Sequence, residues 1–273
     1  MMASRIDVRK TYKLYAGGEF VRSESGRSYR AEGFNVPRAS RKDLRDAVRA
    51  ARGAFPGWSR RTAMNRGQIL YRVAEMLDAR RPQFVGLLGG GRRGGREVDA
   101  AVETFVWYAG LTDKLAQLVG SVNPVAGPYF NFTVPEPMGV IGLVASEEPV
   151  LAGIARSLAA VLCGGNTVVA LTPEARPLAA LCLSEVLATS DLPGGVVNLL
   201  SGYRGELLPW LAAHMDVNAI DAAGCSADQL VAVEEAAAGN IKRVVPPDGG
   251  EAPSPQQAAA FMELKTVWHP IGV

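Results

Sequence analysis

Gly-Val-Ile-Gly-Leu-Val-Ala (139–145) and Asn-Thr-Val-Val-Ala-Leu (166–171) are short, almost unbroken apolar runs, each bounded by turn residues. Two more follow, Val-Val-Asn-Leu-Leu-Ser-Gly (196–202) and Val-Asn-Ala-Ile-Asp-Ala-Ala-Gly (217–224). A strand that is apolar at nearly every position is buried on both faces, which is how the strands of a parallel sheet read. Helical patterns over 150–162, 177–188, 206–213 and 227–238 separate the runs, and a last short strand, Ile-Lys-Arg-Val-Val (241–245), follows. Repeated strand–helix alternation predicts an open, doubly wound α/β domain with a Rossmann-like parallel sheet. Such sheets take ligands at the carboxyl ends of their strands. The turn Thr172-Pro173-Glu174 falls there, yet its strand ends on Leu171, which offers a ligand no donor, acceptor or charge.

Upstream of residue 139 the texture is different. Short apolar alternation around Gly17-Gly18 signals a hairpin. Ser40 and Asp43 form an acidic variant of the capping box, ahead of Leu44, Ala47, Val48, Ala51 and Phe55 at helical spacing. A second helix is expected over Met64 to Arg80, with Ile69, Leu70, Val73 and Leu77 inward. A third is expected over Glu97 to Leu118, burying Val98, Val102, Phe105, Val106 and Leu115. The glycine- and arginine-rich stretch 87–96 lacks the Gly-Lys-Ser/Thr of a phosphate loop and any interleaved aromatic, so it reads as a flexible helix connection. After residue 245 a turn-rich linker leads to Phe-Met-Glu-Leu-Lys-Thr-Val-Trp-His-Pro (261–270), a strand that needs a sheet edge in its own chain or another.

Composition narrows the function classes. The 273 residues are 48% hydrophobic and carry 29 Lys+Arg against 27 Asp+Glu, so no strong field recruits nucleic acid. No apolar run is long enough to span a bilayer and the first ten residues lack a signal core, which points to a cytoplasmic protein. Cys163, Cys182 and Cys225 show neither a disulfide framework nor metal spacing, and His214 and His269 are the only histidines, so no metal site is expected. Cys163 and Cys182 read as core, and Cys225 as a small buried hydrophobe.

Taken in order, Pro-Glu-Pro-Met-Gly-Val-Ile-Gly-Leu-Val-Ala (135–145), Gly-Asn-Thr-Val-Val-Ala-Leu-Thr-Pro-Glu (165–174), Asp-Leu-Pro-Gly-Gly-Val-Val-Asn-Leu-Leu-Ser-Gly (191–202) and Ala-Ala-His-Met-Asp-Val-Asn-Ala-Ile (212–220) resemble the aldehyde dehydrogenase superfamily. The chain looks like a truncated, degenerate, pseudoenzyme-like member, similar to the non-catalytic second module of two-module members. The resemblance implies three parts. Residues 1–138 hold the hairpin, helices and oligomerisation-type strands, 139–250 the cofactor-type Rossmann-like domain, and 251–273 a linker and an oligomerisation strand, with the catalytic domain absent.

Carried over position by position, the family's chemistry is replaced. Its Pro-Trp-Asn-Phe-Pro-like run, whose Asn stabilises an oxyanion, aligns with Ala145-Ser146-Glu147-Glu148-Pro149, and paired carboxylates repel such a charge. Its cofactor lysine aligns with Leu171, its general-base Glu with Pro247, and a family Lys with Glu251; proline moves no proton. Its Gly-Ser-Thr turn, facing the cofactor pyrophosphate, aligns with Gly224-Cys225-Ser226, with Asp228 adding an adverse charge. Vestigial cofactor contacts are therefore expected at Thr172, Glu174, Gly224 and Ser226, with no catalytic residue and no cofactor, or NAD or NADP if any. The implied role is an inactive homologue that assembles with an active aldehyde dehydrogenase, or with itself. One alternative is an NAD(P)-binding oxidoreductase of residual activity. Another is a site for a cation or amine at Glu147, Glu148 and Glu174, against the plainer reading of solvated loop charges.

Overall fold

The computed structural model describes residues 8–247, 249–250 and 252–272. A hairpin, β1 (Leu14–Ala16) and β2 (Glu19–Val21), and a ribbon, β3 (Ser28–Ala31) and β4 (Phe34–Pro37), precede five helices. These are α1 (Arg41–Ser59), α2 (Ala63–Ala79), α3 (Arg81–Leu87), α4 (Gly91–Leu111) and α5 (Leu115–Val119). Then come β5 (Ser121–Asn123) and β6 (Tyr129–Pro137). The alternating part runs β7 (Val140–Val144), α6 (Val150–Cys163), β8 (Thr167–Leu171), α7 (Leu178–Ala188), β9 (Val197–Leu200) and α8 (Arg204–Ala213). It continues through β10 (Ala219–Asp221), α9 (Ala227–Ala238) and β11 (Arg243–Val245), and α10 (Pro255–Ala259) and β12 (Met262–Pro270) close the chain.

The main sheet has the order β11-β10-β7-β8-β9-β1-β2. Its first five strands are parallel, and β1 and β2 extend it antiparallel. The chain moves outward from β7 through β8 and β9, then returns to place β10 on the other side of β7. The sheet therefore reverses direction between β7 and β10, the place where a doubly wound sheet opens a crevice.

Period-two alternation divides the strands between two cores. Ile141, Leu143, Val168 and Ala170 pack with α2, α4, α6 and α7, while Val140, Val144, Val169 and Leu171 pack with α1 and α8. Leu171, 1% exposed, thus belongs to the second core. Burial on both faces explains why these strands lack a polar side.

Local chemistry sets the N-terminal half. Ser40 caps α1 by accepting from Lys42 and Asp43 amides, and Asp43 closes the box by accepting from the Ser40 amide at 2.7 Å. Asp43 also accepts from the Ser23 hydroxyl and the Glu24 amide, so one carboxylate fastens the strand connection to the helix. Gly18 turns the β1–β2 hairpin at φ 87° and lies so close to Gly194 that a Cβ would fall 2.6 Å from its Cα.

Three sequence expectations change. The glycine-rich stretch is not a flexible connection, because α4 begins at Gly91 and only residues 88–90 join it to α3. Gly94 has a packing role: a Cβ there would sit 3.0 Å from the Val85 carbonyl oxygen. The expected third helix is two helices, and Val106 is 41% exposed because the buried stripe runs through Val98, Ala101, Phe105 and Tyr108. On α1 the fully buried aromatic is Trp58, while Phe55 is half-buried. The last strand finds its edge within the chain: β12 pairs antiparallel with β6 from Met262–Pro137 to Pro270–Tyr129.

Candidate functional site

The crevice between β7 and β10 is bounded by the strand exits, the turn after β8 and the first turn of α8. Arg204 begins α8, and its side chain lies back across the crevice, only 8% exposed. Its Nη1 donates to the Gly224 carbonyl oxygen after β10 at 2.9 Å, and its Nη2 donates to the Ala145 carbonyl oxygen after β7. Nη2 also lies 2.8 Å from Glu147 Oε1. One guanidinium therefore joins both rims. Arg204 Nε is buried with no hydrogen-bond partner among the described residues.

The carboxylates complete a ring. Glu147 accepts from the backbone amides of Glu174 at 2.8 Å and Ala175 at 3.2 Å, tying the β7 exit to the β8 turn. Glu174 Oε2 accepts from the Arg204 amide at 2.8 Å, at the amino end of α8. A cation in the first turn opposes the helix dipole, so Arg204 is tolerable there only with these anions beside it. Glu148 turns outward to Arg176, 2.6 Å, and Arg93, 3.3 Å. The three acidic groups are thus each engaged by the protein rather than gathered around an open cation site.

The expected cofactor positions lie around this ring. The Thr172 amide donates to the Leu200 carbonyl oxygen, and its hydroxyl is buried without a partner among the described residues. Glu174 is a ring member. The Gly224 amide donates to the Val144 carbonyl oxygen at 2.8 Å, and a Cβ on Gly224 would fall 2.1 Å from the Ala145 oxygen. Ser226 caps α9 in a reciprocal box, its amide donating to Gln229 Oε1 and its hydroxyl accepting from the Gln229 amide. The backbone donors of Gly224 and Ser226 that would face an anion are used within the chain. A pyrophosphate brought here meets Glu147, Glu174 and an arginine already committed to other oxygens. These residues do not fit that group.

Above the ring is a cavity of about 410 Å³ lined by Tyr29, Arg30, Glu147, Glu174, Tyr203 and Arg204. Tyr29 donates to the Glu174 carbonyl oxygen at 3.2 Å, and burial, followed by the nearby Glu174 and Glu147 carboxylates, raises its phenol pKa. Arg30 is tied to Asn35 at 3.3 Å. A larger cavity, about 710 Å³, opens between α4 and α6, and Pro247 lines it. Glu251 lies outside the described residues.

No activated thiol is present among the described residues. Burial pushes Cys163 up to about 12 and Cys225 up to about 11, and it raises Cys182 as well. Thiols held in the protonated form are poor nucleophiles at neutral pH. Cys163 and Cys182 are buried as expected, whereas Cys225 is half-buried at the edge of the second core. Among the described residues no group of three His, Cys, Asp or Glu side chains is placed to hold a metal ion, and no helix is long and apolar enough to cross a membrane.

Sequence reasoning missed Arg204. The available signal was Ser-Gly-Tyr-Arg-Gly-Glu (201–206), which puts an arginine at a strand exit and a helix start.

Comparison with known proteins gives these arrangements a context. A family model described as "Aldehyde dehydrogenase family" matches residues 28–255. Retinal dehydrogenase 2 of Homo sapiens is 32% identical over 261 residues, covering 90% of this chain and 50% of that protein. Aldehyde dehydrogenase, cytosolic 1, of Elephantulus edwardii is 30% identical over 250 residues, covering 85% and 49% respectively. The solved NAD+ complex of aldehyde dehydrogenase from Bacillus cereus superposes with a TM-score of 0.80 at 26% identity, over 86% of this chain and 50% of that one. The chain spans about half the length of the relatives it matches.

Proposed function

Because the chain belongs to the aldehyde dehydrogenase family, we propose that it is a catalytically silent homologue that acts as an assembly subunit. Its partner in this reading is an active aldehyde dehydrogenase, with self-association as the second mode, in the cytoplasm. The β5–β6–β12 sheet is the observation that carries the reading. In the order β12-β6-β5, the outer side of β12 has no neighbouring strand among the described residues. One face presents Val122, Phe130, Val134 and Val267, all between 38% and 65% exposed. An open edge beside an apolar face is a template for strand addition and for apolar burial.

Silence is the other half of the proposal. An acyl-transfer site of this family's kind needs a nucleophile, an oxyanion donor and a base held together. At the corresponding places this chain carries Glu147 and Pro247, and its described thiols are protonated. NAD(P)H formation from a panel of aldehydes by the purified chain tests this half, and turnover above the buffer blank would refute it. A Val267→Lys variant tests the other. It should retain thermal stability yet lose association, because an ammonium on the apolar face opposes strand docking. Unchanged association would remove the sheet from the interface.

The alternative, an NAD(P)-binding oxidoreductase with residual activity, is favoured by the likeness to an NAD+ complex. A calorimetric titration separates the two, since only the alternative requires saturable heat with NAD or NADP.

A further inference from the structure

We propose that Arg204 is the built-in occupant of the β7–β10 crevice. Its guanidinium converts a place where doubly wound sheets hold ligands into an internal cation site that excludes a dinucleotide. This stands apart from the assembly role and holds whether or not the chain associates.

Geometry carries the inference. A surface arginine has no reason to abandon water for the carboxyl edge of a sheet, since desolvating a charge is costly unless it is paired and hydrogen-bonded. Here the guanidinium is 8% exposed and takes three acceptors from the exits of two strands: the Ala145 oxygen and Glu147 after β7, and the Gly224 oxygen after β10. Two of these are backbone oxygens at the exits of the strands that bound the switch point. Glu147 is held at its angle by the Glu174 and Ala175 amides. A planar fork matches such divergent oxygens, whereas a lysine ammonium offers a point charge on a flexible stem.

The charge balance points the same way. Glu147 and Glu174 face the crevice, and the positive charge beside them is already shared with protein oxygens. An entering diphosphate would have to displace the guanidinium and then face the two carboxylates it leaves behind. A small guanidinium cation is the ligand this shell fits once the Arg204 side chain is removed.

The test uses the full chain with thermal unfolding and calorimetry. Wild type should show no saturable heat with NAD or NADP and no upward shift in Tm. Arg204→Gly should unfold roughly 4–10 °C lower, the range expected when a buried polar network is opened in a chain of this size. Millimolar methylguanidinium should recover part of that loss, equal methylammonium should recover none, and NAD should not substitute. Should Arg204→Gly fail to fold, Arg204→Lys reads the same claim through a lowered Tm, because it keeps the charge and loses the fork. Saturable NAD binding by wild type would overturn the proposal. So would an Arg204 variant as stable as wild type, or rescue by methylammonium equal to that by methylguanidinium.

Discussion

The Glu147 carboxylate lies 2.8 Å from the Arg204 guanidinium, so the exit of β7 and the start of α8 are joined by a partly buried ion pair. In the family resemblance, Glu147 stands where an oxyanion-stabilising Asn is usual. Glu147→Asn should therefore not create an oxyanion site. It should lower stability by about 1–3 kcal/mol, because Arg204 loses its counter-charge and the shorter Asn offers one acceptor oxygen where two serve the Glu174 and Ala175 amides. Chemical denaturation measures the loss, and an unchanged midpoint would show that the ring carries no stability.

In the family resemblance Leu171 stands where a cofactor lysine is usual, and it is 1% exposed in the same core as Leu200 and Leu208. Leu171→Lys should consequently cost about 3 kcal/mol or more through an unpaired buried ammonium, and it should gain no nucleotide affinity. Thermal unfolding with and without NAD measures both effects. A stable variant that binds NAD would mean that only the lysine was missing.

Gly224 is required by close approach. A methyl group there would lie 2.1 Å from the Ala145 oxygen, well inside contact distance, and against the Ala145–Ser146 peptide backbone, which cannot give way as a flexible side chain would. Gly224→Ala should destabilise by roughly 2 kcal/mol or more, because two strand exits must separate. Gly53 makes a control: a Cβ there meets nothing within 4 Å, so Gly53→Ala on α1 should be neutral or slightly stabilising.

Lys242 is the clearest titration probe. It is 7% exposed, its Nζ donates to the His214 carbonyl oxygen at 2.8 Å, and burial lowers its pKa from 10.5 to about 8. Between these two values the unfolded chain holds a proton that the folded chain has released. This group's contribution to stability therefore rises with pH from about 8 to 10.5 and is at its constant, unfavourable floor below about 8. Lys242→Met should raise stability at pH 7 by on the order of 1–2 kcal/mol. The gain should shrink across that window. The difference between the two proteins is the quantity to follow, because the buried thiols add an opposite slope at high pH. A pH-independent difference would contradict the assignment.

The fold was legible because burial writes itself into residue type. The runs at 140–144, 167–171 and 197–200 are apolar on both faces because two cores flank them, and Ser40 with Asp43 announces a helix start by hydrogen-bond chemistry alone. The GGGRRGG stretch was misread because a glycine looks the same whether it frees the backbone or admits a neighbouring helix, as Gly94 admits Val85. Leu171 and Pro247 could be seen as residue types. The ring around Arg204 could not, because Arg204 meets Ala145, Glu147 and Gly224 only through the return of the chain from β9 to β10. Long-range polar contacts of that kind leave no periodic signal.

Silence and assembly are tested together by native mass spectrometry of the chain isolated gently from its host, paired with an aldehyde-oxidation assay of the chain by itself. The predicted result is a complex of fixed composition that holds this chain together with a full-length aldehyde dehydrogenase, or with further copies of itself, and that breaks down with Val267→Lys. A chain that is monomeric at every concentration, and oxidises aldehydes with NAD or NADP by itself, would contradict it.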